Sequence, residues 1–327
     1  MMKYILGVDI AKDKLDCCLL GGGEPLFFEC PNGPGGFKAL ARWLKDSGAA
    51  WADLRACMEA TGRYGEKLLH WLFKKGAAVS DVNPAQVKWF AKSRLARNKT
   101  DRVDARLIAE FCRSQEPRLW NPPAPEIAKL QGLTRLLTSR KHQLASERRR
   151  AATLPAFLRA RVSSVVRLFQ REIQTLQAQI DALIQAHPEL KARRDLLCSI
   201  PCVGKATAQV VLAELPPQIQ SARQAAAYAG LTPRREQSGK KEGRSRLSKT
   251  GNTHLRQALY MPGLTGRRSN PRLKELNGRL QEKGKAPKQA IGACMHLLLR
   301  LCFGVLASGQ PFQADWKGRP RKAQATA

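Results

Sequence analysis

Apolar positions in the first 120 residues fall in short runs of strand length, separated by stretches of helical spacing. Tyr4-Ile-Leu-Gly-Val-Asp9 is such a run and ends in a carboxylate. Lys14 to Leu20 and Pro25 to Cys30 follow, with Gly21-Gly22-Gly23 as the turn between them, which predicts a three-strand meander. Phe37, Leu40, Ala41 and Leu44 then recur at helical spacing, and Leu54 to Met58 is a strand that ends at Glu59. Leu68, Leu69 and Leu72 mark a further helix, Ala77 to Val82 a further strand, and Pro84 to Ser93 a helix leading into the segment around Asp101.

The order β-β-β-α-β-α-β-α-α predicts a mixed sheet with helices packed on it, the α/β arrangement of the ribonuclease H-like fold. After Trp120 the pattern changes, and Asn121-Pro-Pro-Ala-Pro125 reads as a boundary. Val162, Val166, Phe169, Ile173, Leu176, Ile180 and Leu183 alternate four and three apart over three heptads. A stripe so narrow and sustained predicts a coiled coil between two chains, ahead of an amphipathic helix packed within one chain. Ser199-Ile-Pro-Cys-Val-Gly204-Lys-Ala-Thr-Ala resembles a helix-hairpin-helix, whose second helix can turn exposed N–H groups and Lys205 toward a phosphate; a turn that serves packing alone fits equally well. Such hairpins usually carry Gly where this chain has Cys202. Gln224 to Gly230 is a small-residue helix that runs into a basic loop from Leu231 to Gly251. Pro271 to Leu280 reads as an exposed helix and Ala286 to Leu306 as a largely buried one. The expected division is therefore 1–120, 121–190, 191–312 and a basic tail, 313–327, that includes Lys317-Gly-Arg-Pro-Arg-Lys322.

Charge then narrows the partner. The 327 residues carry 57 Lys and Arg against 26 Asp and Glu, a net +31. An excess spread over folded segments favours nucleic acid, where neutralising phosphates releases counterions. A membrane is disfavoured, because the longest apolar stretch, Ala290 to Leu306, is interrupted by His296 and Arg300 and reads as a core helix. The N-terminus leads directly into a strand with no signal-peptide pattern. The nine cysteines form no CxxC pair and no zinc spacing with the five histidines. Cys57 and Cys112, in apolar stretches, read as reduced core thiols of a cytoplasmic protein.

Against this background the acids stand out. Thr100 can cap a helix whose first turn holds Asp101 and Asp104, three apart and so on one face, about 5–6 Å apart at their Cβ atoms. Taken alone, acids there only complement the helix dipole. Asp9 and Glu59, however, end strands that are neighbours in the ribonuclease H-like fold, and the Asp101 helix packs across the same edge. Four gathered carboxylates are costly without a cation, and bound Mg²⁺ would balance them. Asp13 reads as a turn residue and Asp16 as a solvated strand position.

Gly7-Val-Asp9-Ile-Ala-Lys12, Glu59-Ala-Thr-Gly62-Arg-Tyr64, Asn83-Pro84 and Asn98-Lys-Thr-Asp101-Arg-Val-Asp104-Ala-Arg106 together resemble the Asp-Glu-Asp-Asp domain of the insertion sequence one-ten family of transposases. That domain is similar to the Holliday-junction resolvase RuvC. Its acidic tetrad falls on Asp9, Glu59, Asp101 and Asp104, which the resemblance makes catalytic ligands of Mg²⁺ or Mn²⁺. Ala229-Gly-Leu-Thr-Pro-Arg-Arg235, Ser238-Gly239, Ser248-Lys249, Gly251 and Leu255-Arg-Gln-Ala-Leu-Tyr260 resemble the family's C-terminal domain. By composition a serine in such a loop ordinarily donates a hydrogen bond to phosphate. The resemblance instead makes Ser238 the nucleophile, with Ser245 and Ser248 in reserve. Arg234, Arg235 and Lys240 are placed to hold the scissile phosphate.

The resemblance thus implies a RuvC-like N-terminal domain and a C-terminal transposase domain, between which the sequence pattern predicts a helical coiled-coil linker, with the C-terminal domain mainly α and carrying a helix-hairpin-helix-like segment. It further implies a DNA recombinase working through a phosphoserine on donor and target DNA, a structured guide RNA from the same element, and a homo-oligomer in a prokaryotic cytoplasm, associated with the nucleoid. A hydrolytic junction resolvase or nuclease, and a non-catalytic nucleic-acid-binding protein, are the alternatives.

Overall fold

The computed structural model describes residues 3–21, 23–60, 62–94, 100–234, 237–238, 241–242 and 246–314, with the backbone alone for 63, 237, 238, 241 and 242. The chain forms two compact units, Met1–Pro122 and Pro123–Ala327.

In the first unit β1 (Tyr4–Ile10), β2 (Lys14–Leu20) and β3 (Leu26–Pro31) form the meander. Helix α1 (Pro34–Asp46) follows, then β4 (Leu54–Glu59), α2 (Arg63–Lys74), β5 (Ala78–Val82), α3 (Pro84–Ser93) and α4 (Asp101–Gln115). The element order is the expected one. The strands make a mixed sheet in the order β3-β2-β1-β4-β5, antiparallel on the meander side and parallel from β1 to β5.

Alternation along β1 sends Leu6, Val8 and Ile10 to one face, where they pack with Phe37, Leu40 and Leu44 of α1 and Leu68 and Leu72 of α2. Ile5 goes to the other face, with Ala105, Ile108, Phe111 and Cys112 of α4. Asp9 has the parity of Ile5, so the α4 side is the side of the acid. Gly7 lies between them for a steric reason. A Cβ at Gly7 would stand 2.3 Å from the Ala105 carbonyl oxygen and 2.4 Å from the Ala109 nitrogen, so only glycine lets α4 lie directly on β1.

The second unit is helical. α5 (Pro125–Thr153) and α6 (Ala156–Ala186) form an antiparallel hairpin that turns at Pro155. The Arg140 side chain pairs with Glu172 at 2.8 Å and lies over the Phe169 ring, which fixes the hairpin's register. The seam expected to join two chains thus already faces α5 of its own chain at Phe169, and Leu176, Ile180 and Leu183 belong to this unit's own core. The periodicity was right for a helix packed on a helix, but periodicity alone carries no information on whether the partner is the same chain.

α7 (Pro188–Cys198), α8 (Lys205–Glu214), α9 (Ala222–Tyr228), α10 (Thr253–Ala258), α11 (Tyr260–Ser269), α12 (Pro271–Glu282) and α13 (Pro287–Ser308) complete this unit. Among the described residues α13 is the one helix long and apolar enough to cross a membrane, and Cys294, Leu298, Leu299 and Cys302 bury it in the core. All nine cysteines are free thiols.

Candidate active site

The first cluster assembles on the α4 face of the sheet. Asp9 pairs across the ladder with Asp16, and Asp16 with Glu29, so carboxylates lie in a row over β1, β2 and β3. The β1–β4 register runs through Val8 opposite Met58, and its next step sets Glu59 beside Asp9 on the other flank. Above this row α4 begins. The Thr100 hydroxyl accepts a hydrogen bond from the Val103 amide at 3.3 Å, which caps the helix, and the Arg102 guanidinium lies 4.6 Å from the Phe27 ring centre. The cap starts the helix, and the Arg102 contact holds its first turn over β3. Asp9 registers the result. Its carboxyl is raised above the ordinary value first by burial, then by the negative charges of Asp104 and Asp101. Asp9, Asp101 and Asp104 therefore share one electrostatic neighbourhood, with Glu59 one register step away.

Lys14 belongs to this neighbourhood as well. Its ammonium lies 2.6 Å from Asp101, 3.1 Å from Asp16 and 3.6 Å from Glu29. Asp16 is 5% exposed and is not the solvated position its sequence context suggests. It sits on an interior strand between β1 and β3, beneath the start of α4. Burial raises its carboxyl and Lys14 opposes that rise. The signal for Lys14 and Asp16 was present in the sequence, since both share the parity that faces Asp9 once β2 is paired antiparallel with β1.

The second cluster is in the C-terminal unit. Strands β6 (Pro233–Arg234) and β9 (Arg246–Leu247) pair, as do β7 (Gln237–Ser238) and β8 (Lys241–Glu242). The expected basic loop is thus two nested ladders, with Ser238 opposite Lys241 and the exposed Arg234 opposite Arg246. The Ser238 side chain and Arg235, Lys240 and Ser245 lie outside the described residues, and Arg246 is a basic neighbour that the sequence reading did not single out.

The base of these ladders is pinned to the helices. Ser248 donates its amide to the Thr232 carbonyl, Lys249 to Gly230, and Asn252 to Tyr228. Gly230 and Gly251 have φ of +66° and +137°, and a Cβ on Gly251 would be 2.2 Å from the Tyr228 carbonyl oxygen, so this crossing needs glycine twice. The Asn252 side chain donates to the buried Glu214, which also takes a two-pronged bond from Arg135 on α5. Burial alone would raise the Glu214 carboxyl, but the Arg135 and Asn252 bonds outweigh it and hold it below the ordinary value.

Lys205 is the exposed first residue of α8, after the α7–α8 turn. Within that turn Cys202 has φ +80°, the left-handed region in which glycine is at home. Gly266 makes room for the thiol, since a Cβ there would stand 2.6 Å from the Cys202 sulfur. The buried Asn270 secures the same turn by donating to the Pro201 carbonyl at 3.1 Å.

A family model described as a transposase, the DEDD type of IS110 elements, matches residues 6–159, and a model described as "Transposase IS116/IS110/IS902 family" matches residues 194–277. The pilin gene-inverting proteins of Moraxella bovis and Moraxella lacunata are each 35% identical over 316 residues, 95% of this chain and 98% of theirs. The chain belongs to the IS110 family of transposases. The transposase for insertion sequence element IS1111A of Coxiella burnetii is 28% identical over 289 residues, 78% of this chain and 75% of that protein. As an IS110-family member the chain is a DNA transposase or recombinase, and DNA is its partner.

The first matched region of this transposase contains all four tetrad acids, and the second contains Ser238, Arg234 and Lys205. The donor set of the first is carboxylate oxygen throughout, the chemistry that hard divalent cations take, and the repulsion recorded at Asp9 is what such a cation would relieve. Among the described residues no three acidic, histidine or cysteine side chains already form a closed cage for an ion. The acids suit a divalent cation in kind and neighbourhood, with Lys14 now interposed at Asp101.

Proposed function

We propose that this transposase breaks and rejoins DNA through a covalent bond to Ser238, on a RuvC-like nuclease scaffold. The observation that carries the reading is the convergence of Asp101 and Asp104 on Asp9, in a chain whose second matched segment contains the serine. The Ser238 hydroxyl attacks the scissile phosphorus, gives up its proton to a base, and displaces a deoxyribose oxygen that leaves as a hydroxyl. The phosphoserine conserves the energy of the broken linkage. A hydroxyl of another strand then attacks the same phosphorus and releases the serine, so joining needs no nucleotide triphosphate.

Arg234, Arg235 and Lys240 hold the phosphate and offset its developing charge. Asp9, Glu59, Asp101 and Asp104 would hold Mg²⁺ or Mn²⁺, which polarises phosphate oxygens when bound. The net +31 supports binding of a long polyanion, and Lys205 adds a contact at the start of α8. Sequence choice is delegated to a structured guide RNA that pairs with donor and target DNA, in a homo-oligomer of two or more chains working in the cytoplasm.

The test is a denaturing gel of the full chain with DNA, the element's RNA and Mg²⁺, comparing wild type with Ser238→Ala. A protein–DNA adduct that is lost in the variant is the expected result. Strands cut by both proteins without an adduct would assign cleavage to hydrolysis at the acids.

A further inference from the structure

We infer that Lys14 is an internal counter-cation that competes with the divalent ion for Asp101. The inference rests on the reading of the tetrad as a metal site. Four observations lead to it. The ammonium is closest to a tetrad acid, 2.6 Å from Asp101, and farther from Asp16 and Glu29, which are outside the tetrad. The Arg102–Phe27 contact ties the first turn of α4, which carries Asp101, to β3, and the long lysine side chain is the element with freedom to move. Lys14 is 38% exposed at its side chain and has a path away from the acids. Asp16 and Glu29 supply the place it retires to, because they keep two carboxylates within 3.6 Å of the ammonium when Asp101 is given up.

The arrangement has a physical purpose. Asp9 and the buried Asp16 are ladder partners beneath the start of α4, so the carboxylates gathered here repel one another. A lysine tethered at the start of β2 offsets that repulsion, and it yields one contact when a cation of higher charge takes the tetrad. It also sets a threshold, since any ion must displace an existing partner of Asp101.

The experiment is a Mn²⁺ titration of the full chain, followed by the loss of the electron paramagnetic resonance signal of free Mn²⁺, at about 0.15 M and 0.5 M KCl. Lys14→Met should tighten Mn²⁺ binding about three- to fivefold, the scale of a partly exposed ion pair. The gain should persist at the higher salt, which screens distant charge but not a contact at 2.6 Å. Glu29→Gln should shift affinity the other way, about twofold weaker, because Lys14 then leans more on Asp101. Glu29 is 65% exposed at its side chain, so this variant keeps the test alive if Lys14→Met does not fold. Asp9→Asn should abolish the bound Mn²⁺. Wild-type binding that Lys14→Met leaves unchanged or weakens overturns the inference while the metal reading stands. No Mn²⁺ bound by wild type, or binding that survives Asp9→Asn, overturns both.

Discussion

The acids of the N-terminal unit and the serine of the C-terminal unit are held by very different amounts of structure. Asp9 lies on the middle strand of a five-strand sheet, with α4 pressed so closely on it that Gly7 admits no side chain. Ser238 is reached through two ladders of two residue pairs each, pinned at Gly230 and Gly251. The difference follows from the charges. Repelling carboxylates move apart unless a scaffold prevents it, so the strands and the helix that carry the acids need firm packing on one another. A serine proposed to attack a polyanion instead needs basic neighbours, and Lys241 and the Arg234–Arg246 pair lie on the ladders.

The largest effect that would sharpen this comparison is chemical. Ser238→Ala and Asp101→Asn should each lower strand joining by at least about a thousandfold in a recombination assay. Thermal melting should separate them, because Asp101→Asn weakens the Lys14 contact at the sheet, in the other unit from Ser238. Equal and large losses of stability in both would erase the distinction between the two supports.

Next in size is Gly7→Ala. The added carbon meets the α4 backbone at 2.3 Å, which should cost about 3 kcal/mol in denaturant unfolding followed by the tryptophans at 43, 51, 71, 89 and 120 of the N-terminal unit. Unchanged stability would mean that α4 is not pressed on β1 and that the acids converge by some other route.

In the C-terminal unit Glu214→Gln should cost about 2 kcal/mol by weakening the bonds to Arg135 and Asn252. Its pH dependence gives a second reading. The folded-state carboxyl is held below 4.5, so its contribution is present above that value and is lost as pH falls through the folded-state pKa. Wild type should lose more stability than the Gln variant below about pH 4.5, measured by melting temperature.

The smallest effect concerns the α7–α8 turn. Gly266→Ala should cost about 1 kcal/mol by crowding the Cys202 thiol. Cys202→Gly, which relieves the positive φ but loses side-chain packing, should be neutral to within about 0.5 kcal/mol. The double variant should recover most of the Gly266→Ala loss, an interaction that a double-mutant cycle reads directly.

Most of the N-terminal unit was legible because its signals are local. Period-two runs, Pro84 and the Thr100 cap each speak for their own element, and the acids at the strand ends and the Asp101 helix fall where those elements place them. Lys14 and Asp16 were not legible in the same way. Their significance depends on which strands pair, and an acid two residues after a lysine on a strand looks solvated until a second strand covers it. The α5–α6 seam shows the converse limit, since a heptad names a helical neighbour without naming its chain. Cys202 lies between these cases: the turn was visible, but the room for a thiol is supplied by Gly266, 64 residues later, and no local pattern announces it.

The crossing at Gly230 and Gly251 has a consequence for how this protein can change. It brings the two ends of the intervening segment together in the helical body, so closing that loop is settled before its length matters. Doubling the length of a flexible loop so closed adds only about 0.6 kcal/mol. Insertions between Arg234 and Arg246 are therefore cheap for the helical fold, and what limits change in this stretch is the chemistry proposed for Ser238, Arg234, Arg235 and Lys240.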